Sequence, residues 1–224
     1  MRSLSLERRS ILIEWYSNDV AAVKPLRRPT LREERAALTR ARIAQAARRL
    51  FASRGYGATT LAAVAEEAGV AVQTVYAVYG SKARILRALR QAVVNEPHAS
   101  LVFEQALRER DAGRKLTLFA RSIRLRWEYG HDVVSINEVA GATDPLIRKD
   151  VEEVLGVRWR GLARLARSLR ADLAQDLTVA QGAALLDALT LPSVYAQLVA
   201  VHGWTPDRFE AWLAAALLRQ LLGH

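Results

Sequence analysis

The residues whose types and spacing could do chemistry lie between Thr59 and Lys82, in TTLAAVAEEAGVAVQTVYAVYGSK. Thr60 can cap a helix with its hydroxyl, and Leu61, Val64, Ala65 and Ala68 then recur on one helical face. Gly69 stops that helix where a left-handed residue is needed. Val70, Val75 and Tyr79 begin a second apolar stripe. Two short helices meeting across a compact turn make a helix-turn-helix, whose second helix is shaped to enter a major groove. The chemistry implied is recognition of double-stranded DNA. Enzymatic chemistry is not expected: His98, His131, His202 and His224 never stand four apart, and no HExxH or Cys/His cluster exists. Gly55-x-Gly57 lacks a third glycine, and no GxSxG elbow occurs. No metal and no cofactor is expected.

The charge supports the same region. Of a net charge of +10, residues 1–94 account for all, with 17 Lys and Arg against 7 Asp and Glu. Residues 95–224 balance at 16 of each sign. Localised positive charge beside a groove-sized helix is the electrostatic footprint of a DNA-binding domain; a merely Arg-rich surface would be basic throughout.

The elements that must position these residues are helical. Ala, Leu and Arg dominate, and Asn-Gly or Asp-Gly hairpin turns are absent, so the class is all-α, with about nine helices. Residues 1–31 form a basic extension in which Pro25 and Pro29 break any helix. Its Arg8-Arg9 and Lys24–Arg28 clusters suit an arm in a minor groove, or a leader with little function. Residues 32–94 form the helix-turn-helix domain: a helix from about Arg32 to Ser53, the two short helices, and a fourth capped by Ser81. The seam falls at Asn95-Glu96-Pro97, where the charge changes. Residues 95–224 are expected to bind ligand and dimerise, in helices over Pro97–Arg110, Lys115 to Tyr129 or on to Ala140, Pro145–Leu173, Thr178–His202 and Pro206 onward. No cysteine is present, so disulfides are excluded and a reducing compartment is compatible. No apolar run approaches membrane-spanning length, and Ile11–Tyr16 is too short, and interrupted by Glu14, for a signal-peptide core. The cytoplasm is the expected location, with no membrane partner.

From Arg42 the residues RIAQAARRLFASRGY, then TT, VAEEAGV, TVY and GSKARIL to Leu86, resemble the TetR family of transcriptional regulators, with spacing intact. The segment ALTLPSVYAQLVAVHGWTPDRFEAWLAAALLRQLL is similar to the family's last two helices, which form an intersubunit four-helix bundle. The resemblance implies a homodimer that binds a palindromic operator as a repressor and leaves it when a small-molecule effector enters the C-terminal domain. It places Thr60, Thr74, Tyr76 and Lys82 at phosphate-contacting positions, and Val72 and Gln73 where base edges are read. Gln can pair bidentately with adenine and Val can pack on a thymine methyl. Tyr79 stands where Phe is commoner, core with its hydroxyl reaching out, and Arg42 is a further backbone contact. Ala71 replaces the usual Ser or Thr cap, and Ala77 and Val78 replace a polar pair. Gln73 is therefore left with much of any direct readout.

In the neutral half, Arg124, Trp127, His131, Asn137 and Trp159 are the expected ligand-binding residues. Arg124, Trp127 and His131 share a face of an unbroken helix, and an aromatic with polar anchors suits a cavity inside a bundle; core packing is the other reading of both tryptophans. Leu185, Leu186, Leu189 and Val194 with Leu213, Leu217 and Leu221 form a stripe assigned to the dimer interface over intrachain core. Two other functional classes compete. A helical small-molecule binder without DNA activity has no reason for the charge split, and a sequence-independent architectural DNA binder leaves the neutral half idle.

Overall fold

A computed structural model describes residues 30–223, and the arm expected over Arg8-Arg9 and Lys24–Arg28 lies outside them. The described residues form ten helices and no strand, all-α as expected. They are α1 (Leu31–Arg54), α2 (Leu61–Ala68), α3 (Val72–Val78), α4 (Lys82–Val94), α5 (Pro97–Arg108), α6 (Ala112–Thr143), α7 (Pro145–Ser168), α8 (Val179–Leu189), α9 (Pro192–Tyr195, continuing as a π-helical turn Ala196–Val201) and α10 (Pro206–Leu222). No single helix among the described residues is long and apolar enough to cross a membrane.

Packing divides the chain into units 1–39 and 40–224. In the first, Thr30 and Glu33 close a capping box at the start of α1: the Thr30 amide donates to Glu33 Oε2 at 2.7 Å and the Glu33 amide to Thr30 Oγ1 at 3.3 Å. Residues 40–224 hold the packed core. One set of buried side chains there runs from Ile43, Leu50 and Phe51 through Val64, Val75, Ile85 and Leu86 to Phe119, Trp127, Leu165, Leu186, Phe209 and Leu217. The caps follow the sequence: Asp111, Asp144, Thr178 and Thr205 each accept an amide of the first turn they open.

Three boundaries differ from expectation. α7 stops at Ser168, short of Leu173. The expected helix Thr178–His202 is broken at Thr190–Pro192 because Pro192 has no amide proton to continue it and drives Leu191 into the extended region (φ −62°, ψ 143°). α6 runs past Ala140 to Thr143, but Gly130 leaves the helical region (φ −157°, ψ 30°) and kinks it. The kink lies where α4 packs on α6: a Cβ at residue 130 would stand 2.2 Å from Val93 Cγ2.

Arginines join α1 and α4 to this kinked segment. Arg48 of α1 donates to Asp132 and to the Tyr129 carbonyl. Arg126 donates to the carbonyls of Val93, at 2.9 Å, and Val94 at the end of α4. Arg90 of α4, buried, donates to Asn137 Oδ1 at 2.6 Å and to Asp150 Oδ2 of α7 at 2.8 Å. Burial pushes the Asp132 carboxyl up, but the hydrogen bonds and charge of Arg48 outweigh it and hold it below the ordinary aspartate value.

Candidate nucleic-acid interface and the helices behind it

α2 and α3 are bent by 106° from one another, within the range of a helix-turn-helix. The turn is built locally. Thr60 Oγ1 accepts the Ala63 amide at 3.1 Å and opens α2. Gly69 at φ 64° ends it, a left-handed position that a side chain would strain. Arg42 Nη2 donates to the Ala68 carbonyl at 2.7 Å and so closes the same helix end. α3 begins at Ala71 with an extended backbone and no side-chain cap. Val75 is fully buried beneath it.

The solvent face of α3 carries Gln73, Tyr76 and Ala77, with Val72 and Thr74 half-buried beside them. Tyr76 is 56% exposed, large for an aromatic with no cover. Tyr79 points inward, its hydroxyl donating to the Arg40 carbonyl at 3.1 Å, so it ties α3 to α1. Burial pushes its phenol up, with Arg40 opposing. Ser81 Oγ accepts the Arg84 amide and starts α4, placing Lys82 at its first position. Lys82 Nζ donates to the carbonyls of Tyr56 at 2.7 Å and Gly57 at 3.2 Å. Gln73, Tyr76 and Lys82 thus lie on or beside one short helix, while Tyr79 is buried and the exposed Arg42 spends one N–H on the end of α2.

Behind this head, the expected ligand residues separate. Arg124, Trp127 and His131 gather on one side of α6. Arg124 donates to Glu128 at 2.7 Å and to Glu210 of α10 at 3.0 Å. Burial would lower its guanidinium, but the two carboxylates outweigh that and raise it. Trp127 is buried, with Nε1 donating to the Thr190 carbonyl at 3.0 Å. His131 Nδ1 pairs with the Trp127 carbonyl at 2.9 Å, and its ring lies 5.3 Å from that of Tyr195. Asn137 does not join them: it faces α4 and is consumed by Arg90 and the Val133 carbonyl. Trp159 is 45% exposed on α7 and is likewise apart. A helical wheel cannot show which neighbour covers each face, and here α4 covers the one bearing Asn137.

Sequence reasoning missed Arg158, Tyr195 and Glu210. Arg158 Nε donates to Asp187 and its Nη2 to the Thr190 hydroxyl at 2.7 Å, while the guanidinium lies 5.8 Å from the Trp127 ring centroid. Burial lowers its pKa, with Asp187 opposing. Arg158 and Glu210 sit among other charged residues and Tyr195 in an apolar run, so no local signal marks them.

The dimer stripe also needs correction. Leu186, Leu213, Leu217 and Leu221 are fully buried by the chain's own helices and have no surface left for a partner. Leu185, Leu189 and Val194 are half-buried. The outward faces of α8 and α10 instead carry Ala180, Ala184 and Ala188, and Ala211 and Ala215.

Residues 43–89 match the family model for bacterial regulatory proteins of the tetR family. No curated protein matches the chain. Among solved structures, NalD of Pseudomonas aeruginosa, the secondary repressor of the MexAB-OprM multidrug efflux pump, is 22% identical, with a TM-score of 0.65 over 84% of this chain and 98% of that one. The fatty acid degradation regulator FadR of Bacillus halodurans is 18% identical, with a TM-score of 0.67 over 80% of this chain and 94% of that one. FadR of Bacillus subtilis, in complex with stearoyl-CoA, is 16% identical, with a TM-score of 0.65 over 80% and 98%. These structures share the fold along most of the chain, and the family model falls on the helix-turn-helix just described: residues 43–89 form a DNA-binding domain of the kind found in bacterial regulatory proteins of the tetR family.

Proposed function

We propose that the protein is a homodimeric repressor that grips a palindromic operator through α3 of each subunit and releases it when a small molecule enters the C-terminal helices. It acts by binding, without catalysis, in the cytoplasm. Residues 32–94 are its reading domain and 95–224 its effector and dimerisation domain. The observation that carries this reading is the solvent face of α3, where Gln73 and Tyr76 stand exposed and flanked by Lys82. Gln73 and Val72 read base edges, and Thr60, Thr74, Tyr76 and Lys82 contact phosphates. Tyr79 supports the head from within, and Arg42 ties α1 to the end of α2 while its remaining donors face solvent.

The dimer face is the alanine surface of α8 and α10, bordered by Leu185, Leu189 and Leu218. Small side chains let two such helix pairs approach closely, and an apolar exposed surface favours burial against a twin. The effector site lies around the Gly130 kink, at Arg124, Trp127, His131 and Tyr195. NalD, a repressor, and FadR, bound to stearoyl-CoA, support a repressor of this fold that takes a small molecule.

Salt titrations on a duplex enriched by the protein from a random library, against a scrambled duplex, test the reading. The enriched duplex is expected to bind about a thousandfold more tightly at physiological salt. Equal affinity for both would refute it.

A further inference from the structure

Lys82 does not hang free at the start of α4. Two of the three protons of its ammonium go to the carbonyls of Tyr56, at 2.7 Å, and Gly57, at 3.2 Å. The same nitrogen stands 4.7 Å from the centroid of the Tyr56 ring, a distance at which a ring face attracts a cation. The ring itself is fixed, packed at 5.1 Å against Phe51 of the α1 core. Its phenol is pushed up by burial and then by Asp144, so the ring stays neutral. One ammonium proton is left over. A lysine already held at the start of α4 loses less rotamer freedom on meeting a phosphate than one sweeping through solvent.

We infer that Tyr56 is a positioning residue for DNA binding: its ring and backbone carbonyl hold the Lys82 ammonium in place for one phosphate. This rests on the reading of Lys82 as a phosphate contact. Tyr56 touches no DNA in this scheme and acts through Lys82 alone.

The test uses the full chain and a random-sequence duplex, since phosphate contacts need no particular sequence. Lys82→Ala is expected to flatten the plot of log affinity against log salt by about 0.9 per subunit, the loss of one phosphate contact. Tyr56→Phe keeps the ring face and is expected to match the parent. Tyr56→Leu is expected to weaken binding about threefold, and to add nothing in the Lys82→Ala background. A Tyr56→Leu effect that persists undiminished in that background would show that Tyr56 acts through the fold, and overturns the proposal. So does parent-like binding by Tyr56→Leu while Lys82→Ala flattens the slope. An unchanged slope in Lys82→Ala sinks the phosphate reading itself, a separate failure. Should Tyr56→Leu not fold, the ε-methylene protons of Lys82 in the parent decide: the ring current should shift them upfield in the free protein and in the DNA complex. Random-coil positions in either state overturn the proposal.

Discussion

Gln73 is the one side chain on the exposed face of α3 able to make two hydrogen bonds to a base edge, because Ala71 and Ala77 beside it carry no polar group. Specificity therefore concentrates on few positions. Gln73→Ala is expected to relax discrimination at one base pair by about 1–3 kcal/mol while leaving general DNA affinity intact. A binding-site selection with unaltered preferences would contradict this. Around Gln73 the polar groups divide their labour. Arg42 donates to the Ala68 carbonyl and Tyr79 to the Arg40 carbonyl, so these two brace the head from within the subunit's own chain. Position alone does not show these bonds, because an exposed arginine on a helix and a tyrosine near its end look the same in sequence whether they bond outward or back.

At the scale of elements, two features of α3 and α6 invite measurement. α3 has seven residues, and the N-cap residue before it, Ala71, is extended and offers no side-chain cap. Ala71→Ser supplies the missing acceptor, so it is expected to stabilise the protein by about 1 kcal/mol; a thermal melt at or below the parent's would show that the first-turn amides gain nothing from it. α6 bends at Gly130, with Val93 where a side chain would be. Gly130→Ala must move α4 or distort α6, and is expected to cost about 1–3 kcal/mol. Chemical denaturation reads that loss directly, and an unchanged midpoint would mean that Val93 yields freely. The helix caps at Thr60, Ser81, Asp144, Thr178 and Thr205 were legible from the sequence because each acts on amides two or three residues away. The break at Pro192 has a local signal too, the proline itself, but the apolar pattern runs straight through it.

At the scale of residues 40–224 as a unit, burial sorts the leucines that a helical stripe leaves together. Leu217→Ala opens a cavity in the subunit's own core and is expected to cost about 2–5 kcal/mol. Ala184→Glu, on the exposed face of α8, is expected to leave the subunit folded but prevent dimer formation. Analytical ultracentrifugation beside a thermal melt distinguishes the two, and a dimeric Ala184→Glu protein would move the interface elsewhere. The contact between α1 and α6 has a pH signature. Asp132, held below the ordinary aspartate value by Arg48, contributes stability at neutral pH that is lost as pH falls through its depressed folded value. The stability gap between the parent and Arg48→Met is therefore expected to be full at neutral pH and to narrow in acid. Melts across that range giving a constant gap would remove the pair from the account.

The sequence by itself determined the helical class, the spacing of the helix-turn-helix, the caps, and the confinement of net charge to residues 1–94. These depend on residues within a turn or two of one another, where periodicity, hydroxyl caps and glycine act without help from the rest of the chain. Only the tertiary structure decided that Leu186, Leu213, Leu217 and Leu221 are core, that Asn137 belongs to Arg90, that Trp159 stands apart, and that Tyr56 lies under Lys82. Each of these turns on which distant helix covers a given face. A buried donor must find its acceptor wherever packing brings one, and the separation of 26 positions from Tyr56 to Lys82, or of 47 from Arg90 to Asn137, leaves no local trace of the meeting.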